Sequence, residues 1–269
     1  RQWSEEQRSG TLELLLTLPL NPVQLVLGKF FAVMVIISIA LCFTLPLPIT
    51  VSFLGPLDWG PVVGGYIAAL LMASAYAAIG LFISSRTDNQ IVALISTVLV
   101  GGIFYAAGTS GITDLLPGSI SKILWAIGTG SRFESIERGV IDLRDLIYYL
   151  SLAAIFLVLN TISLDSKRWS NKQVSYQRKY ITTVSLITLN IMLLNVWLYP
   201  LQGLRLDLTQ QKEYTIAQVT KDMLANLQEP LLIRGYFSEK THPLLAPLVP
   251  TIEDMLQEYR IAGKGMVDV

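Results

Sequence analysis

The chain has 269 residues, and its 20 Lys and Arg exactly balance its 20 Asp and Glu. Only 15% of the residues are charged and 52% are hydrophobic, whereas soluble domains carry about 25% charged residues. The balanced charge argues against nucleic-acid binding, and a single cysteine, Cys42, excludes an internal disulfide framework and a cysteine-cluster metal site. The single histidine, His242, argues against a zinc site or a Ser-His triad.

Residues 1–29 do not form a membrane span, because charged residues are mixed with leucines along them. A stretch of this composition lies along the membrane surface or against a partner protein, and both possibilities remain open at this point. Pro19 and Pro22 are expected to end one helix and to start a second short helix that leads into the first span.

Long uncharged stretches predict membrane-spanning helices, since a helix needs about 20 apolar residues to cross the hydrocarbon core. Five stretches qualify, at residues 30–54, 62–84, 90–108, 146–163 and 180–202. Pro46 and Pro48 are expected to kink the first of them. Small residues run along the second, which predicts that it packs inside the bundle. We therefore expect a mainly α fold, with a polytopic helical membrane bundle of about five spans.

The loop at 109–145 is too long for a turn and too apolar for a linker, and two apolar periodicities of helical type run through it. They predict two amphipathic helices at the membrane surface, broken near Gly128 and Gly130. These helices form either an outer gate or a packed cap. The first periodicity contains Ile120, Ile123, Leu124 and Ile127, and the second contains Phe133, Ile136, Val140 and Leu143.

Asn160, Asn190 and Asn195 lie within predicted spans, where a polar side chain facing lipid is costly, so we expect them to face other helices. No Asp, Glu, Lys or Arg falls in the middle of a span. This argues against a proton-coupled or ion-coupled carrier, which usually needs an ionisable group inside the membrane. A transport function would therefore draw its energy from another subunit.

Catalytic and nucleotide-binding motifs are absent from the sequence. Gly28 and Lys29 lack the upstream glycine and the following hydroxyl of a phosphate-binding loop, and neither a zinc-protease motif nor a nucleophile elbow occurs. We predict no catalytic residue, no metal and no cofactor in this chain.

The predicted organisation is a transmembrane region at 1–163, a basic linker at 164–179, a further membrane anchor at 180–202 and the start of a soluble α/β domain at 203–269. In this last part, strands are predicted at 204–208, 231–237 and 266–269. Thr215 is expected to cap a helix over 216–227, and a second helix should contain Pro250 in its first turn and end at Gly263. The alternating order argues for one parallel or mixed sheet. About 65 residues hold little core, so more of this domain is expected beyond Val269.

Lys and Arg in the short loops predict the orientation in the membrane. With residues 1–29 in the cytoplasm, the inner segments hold more Lys and Arg than the loop at 109–145, which then lies outside together with the tail. The chain does not begin with a signal peptide or a Met, so we expect that further spans precede it.

Several sequence runs resemble a known family. The run EEQRSGTLELLLTLPL at 5–20, followed by VLGK at 26–29, resembles the cytoplasmic signature of ABC-2 type transporter permeases, as do GLFISS at 80–85, NQIVA at 89–93 and RGVIDLRDLIYY at 138–149. Together they are similar to the gliding-motility-associated, GldF-like branch. In the tail, DLT at 207–209, Lys212, YT at 214–215, EP at 229–230 and YFS at 236–238 resemble the periplasmic domain of a GldG-like auxiliary protein. The chain thus looks like a permease fused to this auxiliary protein, with parts of both missing at its ends.

The resemblance implies a role for each region. It implies the permease subunit of an ATP-driven exporter in the bacterial inner membrane, with a periplasmic tail and a possible periplasmic partner for it. A separate ABC ATPase would carry ATP and Mg²⁺ and dock on residues 5–19, and two permease halves would form a dimer. The helices at 109–145 would be the outer gate. The contacts expected with the ATPase are Glu6, Arg8, Gly10, Thr11, Glu13 and Pro19.

Two other functions compete with the exporter. The assembly would, in the first alternative, anchor or help to assemble a cell-surface machine of the gliding type, with no bulk substrate transport. A secondary carrier is the second alternative, which the lack of charges inside the spans disfavours.

Overall fold

The computed structural model of the chain describes residues 2–109, 118–168, 174–198, 205–212, 214–236, 248–263 and 265–269. Within these ranges, five helices are long and apolar enough to cross a membrane, and a few short strands follow them. These spans are Pro22–Leu54, Trp59–Ser84, Gln90–Ala107, Leu143–Asp165 and Tyr180–Leu198. The predicted fold class, a polytopic α-helical membrane bundle followed by an α/β part, is therefore confirmed.

The described elements are the following, in chain order. The bundle contains α1 (Gln2–Ser9), α2 (Thr11–Thr17), α3 (Pro22–Cys42), α4 (Pro46–Leu54), α5 (Trp59–Ser84), α6 (Gln90–Ala107), α7 (Gly118–Ile127), α8 (Gly130–Glu137), β1 (Val140–Asp142), α9 (Leu143–Asp165) and α10 (Val174–Leu198). The tail contains β2 (Arg205–Asp207), α11 (Gln218–Ala225), β3 (Leu231–Leu232), α12 (Leu248–Ala262) and β4 (Val267–Asp268).

Four of the long helices begin at an Asn or Asp whose side chain accepts a hydrogen bond from a backbone N–H of the first turn. Asn21 caps α3, Asp58 caps α5, Asn89 caps α6 and Asp142 caps α9, with the closest N–H···O distances between 2.8 and 3.0 Å. Such caps satisfy N–H groups that have no partner within the helix. The polar residue before each apolar stretch therefore fixes where that helix starts.

The first span is interrupted within its length, and it begins earlier than predicted. The α-helix is interrupted at residues 43–45, where the Thr44 and Leu45 N–H groups donate to the carbonyls three residues earlier, and it resumes at Pro46, which has no N–H to donate. The two prolines predicted a disturbance at this place. The short helix predicted to start at Pro22 is not separate from this span, since α3 begins at Pro22 and runs on into the membrane. Pro22 occupies its first position, where proline is tolerated.

The bundle is built around α5 and α9, which pack against each other and are much more buried than the other spans. The predicted interior position of the second span is confirmed, because Gly64, Ala68, Ala75 and Ala78 of α5 are buried. Different helices and strands lie at the two ends of the bundle. We call the end that carries α1 and α2 the amino-terminal side, and the end that carries α7, α8 and the tail the tail side.

The loop at 109–145 contains two helices, as predicted, and they are separated at residues 128–129. The second of them ends earlier than its periodicity indicated: α8 stops at Glu137, Val140 lies in strand β1 and Leu143 begins α9. Gly139 explains this end, because its φ of 89° is a left-handed conformation that stops a helix. The residues at 110–117 of this loop lie outside the described part.

The prediction of one sheet in the tail is wrong in its first strand. β2 pairs antiparallel with β1 of the bundle, whereas only β3 and β4 pair with each other, in parallel, among the described tail residues. The first tail helix is also shorter than predicted, at 218–225, and Thr215 does not cap it. Instead, the Thr215 hydroxyl donates to the Asp207 carboxylate at 3.0 Å. The second helix ends before Gly263, as predicted.

The predicted linker at 164–179 is partly helical, because α9 runs to Asp165 and α10 begins at Val174. Residues 169–173 between them lie outside the described part of the chain.

Candidate functional site

The amino-terminal elbow, which we define as residues 2–17, consists of α1 and α2 joined at Gly10. Gly10 adopts a left-handed φ of 73°, a conformation that few residues other than glycine adopt without cost. The Ser9 and Thr11 hydroxyls lie 2.9 Å apart, and Ser9 also donates to the carbonyl of Glu6 at 3.2 Å. Glycine and the two hydroxyls together set the angle of the elbow.

One face of the elbow is anchored to the bundle. Trp3 is fully buried, and Leu12 is only 4% exposed. They share an apolar cluster with one pair of residues from each of three spans, so that α3, α5 and α9 all meet the elbow. These pairs are Val26 and Phe30 of α3, Ala78 and Leu81 of α5, and Ala153 and Leu164 of α9.

Charged groups reinforce this anchor. The Lys29 ammonium lies 2.5 Å from the Glu6 carboxylate and 4.5 Å from the centre of the Trp3 ring, which adds an ion pair and a cation–π contact. Lys167, just beyond α9, donates to the Gln7 amide oxygen at 2.9 Å. Partial desolvation lowers the pKa of Lys167, with Asp88 opposing this shift and Arg86 adding to it.

The opposite face of the elbow is exposed. Arg8, Gly10, Thr11 and Glu13 are all exposed, and so is Pro19 in the connection that follows. Neither Arg8 nor Glu13 has a hydrogen bond or ion pair to another described side chain. Among the residues predicted to contact an ATPase, Glu6 pairs with Lys29, and the Thr11 hydroxyl lies 2.9 Å from that of Ser9.

On the tail side, the turn between α7 and α8 packs backbone to backbone against the end of α6. The Thr129 N–H donates to the Phe104 carbonyl at 2.8 Å. A Cβ atom on Gly128 would overlap the backbone of Gly108, and one on Gly130 would lie 2.6 Å from the Tyr105 carbonyl oxygen. The two glycines named in the sequence prediction therefore permit this close approach.

Three tyrosines and an ion pair hold the same turn. The hydroxyl of Tyr76 lies 2.7 Å from that of Thr129, and Tyr149 donates to the Thr129 carbonyl, also at 2.7 Å; the Tyr148 hydroxyl donates to the Ile127 carbonyl. Arg132 of α8 lies 2.6 Å from the Asp145 carboxylate, and both side chains are largely buried.

The residues predicted for an outer gate have different environments in this arrangement. Ile136 is fully buried, and Phe133 packs against the same apolar cluster. Ile120 is 50% exposed and Leu124 is half-buried. The side chain of Ile123 lies outside the described part of the chain.

The tail is attached to this side of the bundle by the antiparallel β1–β2 pair. Arg205 of β2 lies between two carboxylates, 3.6 Å from that of Asp142 and 3.3 Å from that of Glu258. The Gln210 N–H donates to the Asp58 carboxylate, which also caps α5, at 3.1 Å. Gly60 of α5 packs directly against the backbone of Leu208.

The three intramembrane asparagines have different surroundings. Asn195 of α10 donates to the Ser151 hydroxyl of α9 at 2.7 Å, and Asn160 is fully buried; both therefore face other helices. Asn190 does not: it is exposed, and its amide donates to the Leu186 carbonyl of its own helix. A helical side chain can satisfy its polar group in this way without a neighbouring helix.

Sequence reasoning missed three groups of residues that stabilise the packing at one end of the bundle or at the other. They are Trp3, the Arg132–Asp145 ion pair, and the tyrosines 76, 148 and 149. Half of the residues at 132–145 are charged, so the sequence alone did not single out the pairing of Arg132 with Asp145.

Two comparisons with protein families give matches. Residues 3–204 match the family described as ABC-2 family transporter protein. Residues 210–269 match a domain of unknown function, DUF7088. No curated protein and no solved structure matches the chain.

Proposed function

The chain belongs to the ABC-2 family of transporter proteins, and from this premise we propose that its amino-terminal elbow receives the movement of a separate ABC ATPase. Members of this family are multi-pass membrane components of ABC transporters and work with ABC ATPase subunits. The chain is accordingly a transport component, the permease subunit of an ABC exporter. The proposal concerns the surface of this permease on which the ATPase acts.

The two-sided character of the elbow carries this proposal. Its exposed face presents Arg8 and Glu13 to the solvent, and charged groups of this kind recognise complementary charges on a partner. Its buried face, with Trp3 at the centre, contacts three spans at once. A push on the exposed face therefore has a packed path into α3, α5 and α9.

Two of these spans, α5 and α9, also contact α8 on the tail side of the bundle. α5 packs against α8 through Gly64, whose position leaves no room for a Cβ atom beside the Ile136 carbonyl, and α9 carries Asp145, the partner of Arg132. We propose that rearrangement of these spans releases the α7–α8 hairpin and opens an outward path, because packed helices switch between discrete arrangements rather than deforming continuously.

The remaining parts of the proposal concern location and partners. We propose that the elbow lies in the cytoplasm, that the membrane is the bacterial inner membrane, and that the tail is periplasmic with a partner there. ATP and Mg²⁺ bind the partner ATPase, and two permease halves form a dimer. The excess of Lys and Arg on the amino-terminal side supports this orientation, and the motifs quoted above support the GldF-like and GldG-like assignment.

One observation favours a second function: the tail is attached to the bundle at several points. The β1–β2 pair and the contacts of Asp58 and Gly60 with residues 208–210 join tail and bundle over several points. A fixed external module of this kind suits an anchor or assembly platform of a cell-surface machine. In that case an ATPase would not need to move the α7–α8 hairpin.

Charge reversal on the elbow tests the exporter proposal. In the chain co-expressed with its candidate ATPase, Glu13→Lys combined with Arg8→Glu is expected to reduce co-purification of the ATPase about tenfold, since complementary charges across an interface are then opposed. The matched control is Glu134→Lys, which reverses an exposed charge on the tail side. Unchanged co-purification and unchanged ATP turnover in the double variant would remove the coupling role.

A further inference from the structure

A groove of about 710 Å³ opens on the tail side of the bundle, between the break in the first span and α5. The groove lies beside residues 43–45, where the α-helix of the first span is interrupted between α3 and α4. Its volume lies within the range of about 300–1,000 Å³ that is usual for small-molecule sites. The groove is separate from the elbow, which lies at the other end of the spans.

The lining of the groove between the first span and α5 is mostly apolar. Leu41 and Leu47 line it on either side of the break, and Val62 and Ala69 line it from α5. All four belong to the membrane-spanning segments. Large apolar side chains beside the groove are also exposed, with Phe43 at 80% and Leu47 at 70%. An occupant of this part is therefore a hydrocarbon chain rather than a hydrated molecule.

The mouth of the groove is polar and carries one charge of each sign. Thr44 and Tyr66 place their hydroxyls 2.7 Å apart within it. Glu137 and Arg138, at the end of α8, are adjacent at the rim, and Tyr214 of the tail completes it. A carboxylate next to a guanidinium complements a ligand that carries an ammonium and a phosphate together.

We propose that this groove binds a zwitterionic phospholipid of the tail-side leaflet. One acyl chain lies between the broken first span and α5, the phosphate lies at Arg138, and the ammonium lies at Glu137. The apolar lining and the paired charges at the rim match the acyl chain and the headgroup of such a molecule. This binding does not depend on the ATPase, and it would hold the end of α8 through Glu137 and Arg138.

The chain offers a matched pair of glycines for testing the site. Gly65 lines the groove, and a Cβ atom added to it would meet no atom within 4 Å. Gly65→Leu therefore fills the groove without disturbing the packing of α5. Gly102 of α6 is exposed and has the same open surroundings, so Gly102→Leu makes the identical change at a helix surface away from the groove.

The experiment uses the full chain in phosphatidylcholine nanodiscs that contain a trace of phosphatidylethanolamine with a photoreactive acyl chain. Labelling of peptides that cover residues 41–48 and 62–69 is measured by mass spectrometry relative to that of residues 91–99, an exposed part of α6 that does not include Gly102. We expect Gly65→Leu to lower this ratio about tenfold, and Gly102→Leu to leave it unchanged. Equal ratios in the parent and in Gly65→Leu would overturn the proposal.

The headgroup is tested separately. Photoreactive phosphatidylglycerol, which lacks the ammonium, is expected to label the groove several-fold less than phosphatidylethanolamine, and Glu137→Gln should abolish this preference. Equal labelling by the two lipids in the parent chain would overturn the assignment of a zwitterionic ligand.

Discussion

Replacing Arg132 by Ala is expected to destabilise the folded chain by about 3–5 kcal/mol, because it leaves the buried carboxylate of Asp145 without its partner. The Arg132 guanidinium lies 2.6 Å from that carboxylate, donates to the Ala126 carbonyl at 3.0 Å and covers the Tyr148 ring at 4.1 Å. Arg144, the neighbouring arginine in the sequence, pairs with Asp142 at 2.6 Å, so the Asp145 charge loses most of its compensation. This change should be among the most damaging single substitutions on the tail side.

Thermal unfolding in nanodiscs measures this effect, with an expected fall in Tm of roughly 6–20 °C. Arg178→Ala removes an exposed arginine and should change Tm by no more than about 2 °C. The double variant Arg132→Met with Asp145→Leu should recover much of the loss, since replacing both partners of a buried pair by apolar residues is often nearly neutral. A Tm of Arg132→Ala equal to that of Arg178→Ala would contradict the buried ion pair.

Replacing Trp3 by Ala should detach the elbow from the bundle. Trp3 is fully buried and contributes the largest side chain to the cluster that joins the elbow to α3, α5 and α9. Truncating a buried tryptophan costs about 3–5 kcal/mol, and the cost here falls on the docking of residues 2–17. We expect faster hydrogen exchange across the elbow, and loss of ATP-driven transport while the spans stay folded.

Two variants control this experiment. Trp125→Ala removes a tryptophan that is 48% exposed and should leave hydrogen exchange in the elbow unchanged. Trp3→Phe keeps an aromatic ring and removes an indole N–H that has no hydrogen-bond partner, so it should retain most of the function. If hydrogen exchange in the elbow of Trp3→Ala matched that of the parent chain, the anchor would lie elsewhere.

The spans were predictable because each contains a long uncharged run and four of them begin at a capping Asn or Asp, and both signals are local. The break of the first span was only partly predictable. Pro46 and Pro48 indicated a disturbance there, but whether the helix kinks or stops depends on the contacts of the following segment. The exposure of Asn190 could not be predicted either, because the periodicity of a helix does not reveal whether a neighbouring helix covers a given residue.

The attachment of the tail could not be predicted from the chain. Strands 140–142 and 205–207 are only three residues long and lie about 65 positions apart, so no local pattern pairs them. Gly139 and Gly60 now have an evident reason, because the backbones of the bundle and the tail approach closely there. A short strand finds its partner through tertiary contacts, which weigh more than its own propensity.

The mixed charges of the elbow left two interpretations open, the membrane surface or a partner protein, and its anchor to the bundle was not predicted. The charges of Arg8 and Glu13 are exposed, which agrees with the character that the sequence indicated. The pairing of Glu6 with Lys29 and the burial of Trp3 depend on a fold that brings residues more than 20 positions apart together.

The contact between the elbow and an ATPase is most directly measured by cysteine cross-linking. Cys42, the only cysteine of the chain, is exposed, so Cys42→Ser provides a background without cysteine. In the intact complex, Glu13→Cys should cross-link to the ATPase, with a yield that changes on ATP binding, whereas Glu134→Cys on the tail side should not. Cross-linking through Glu134→Cys but not through Glu13→Cys would contradict the account.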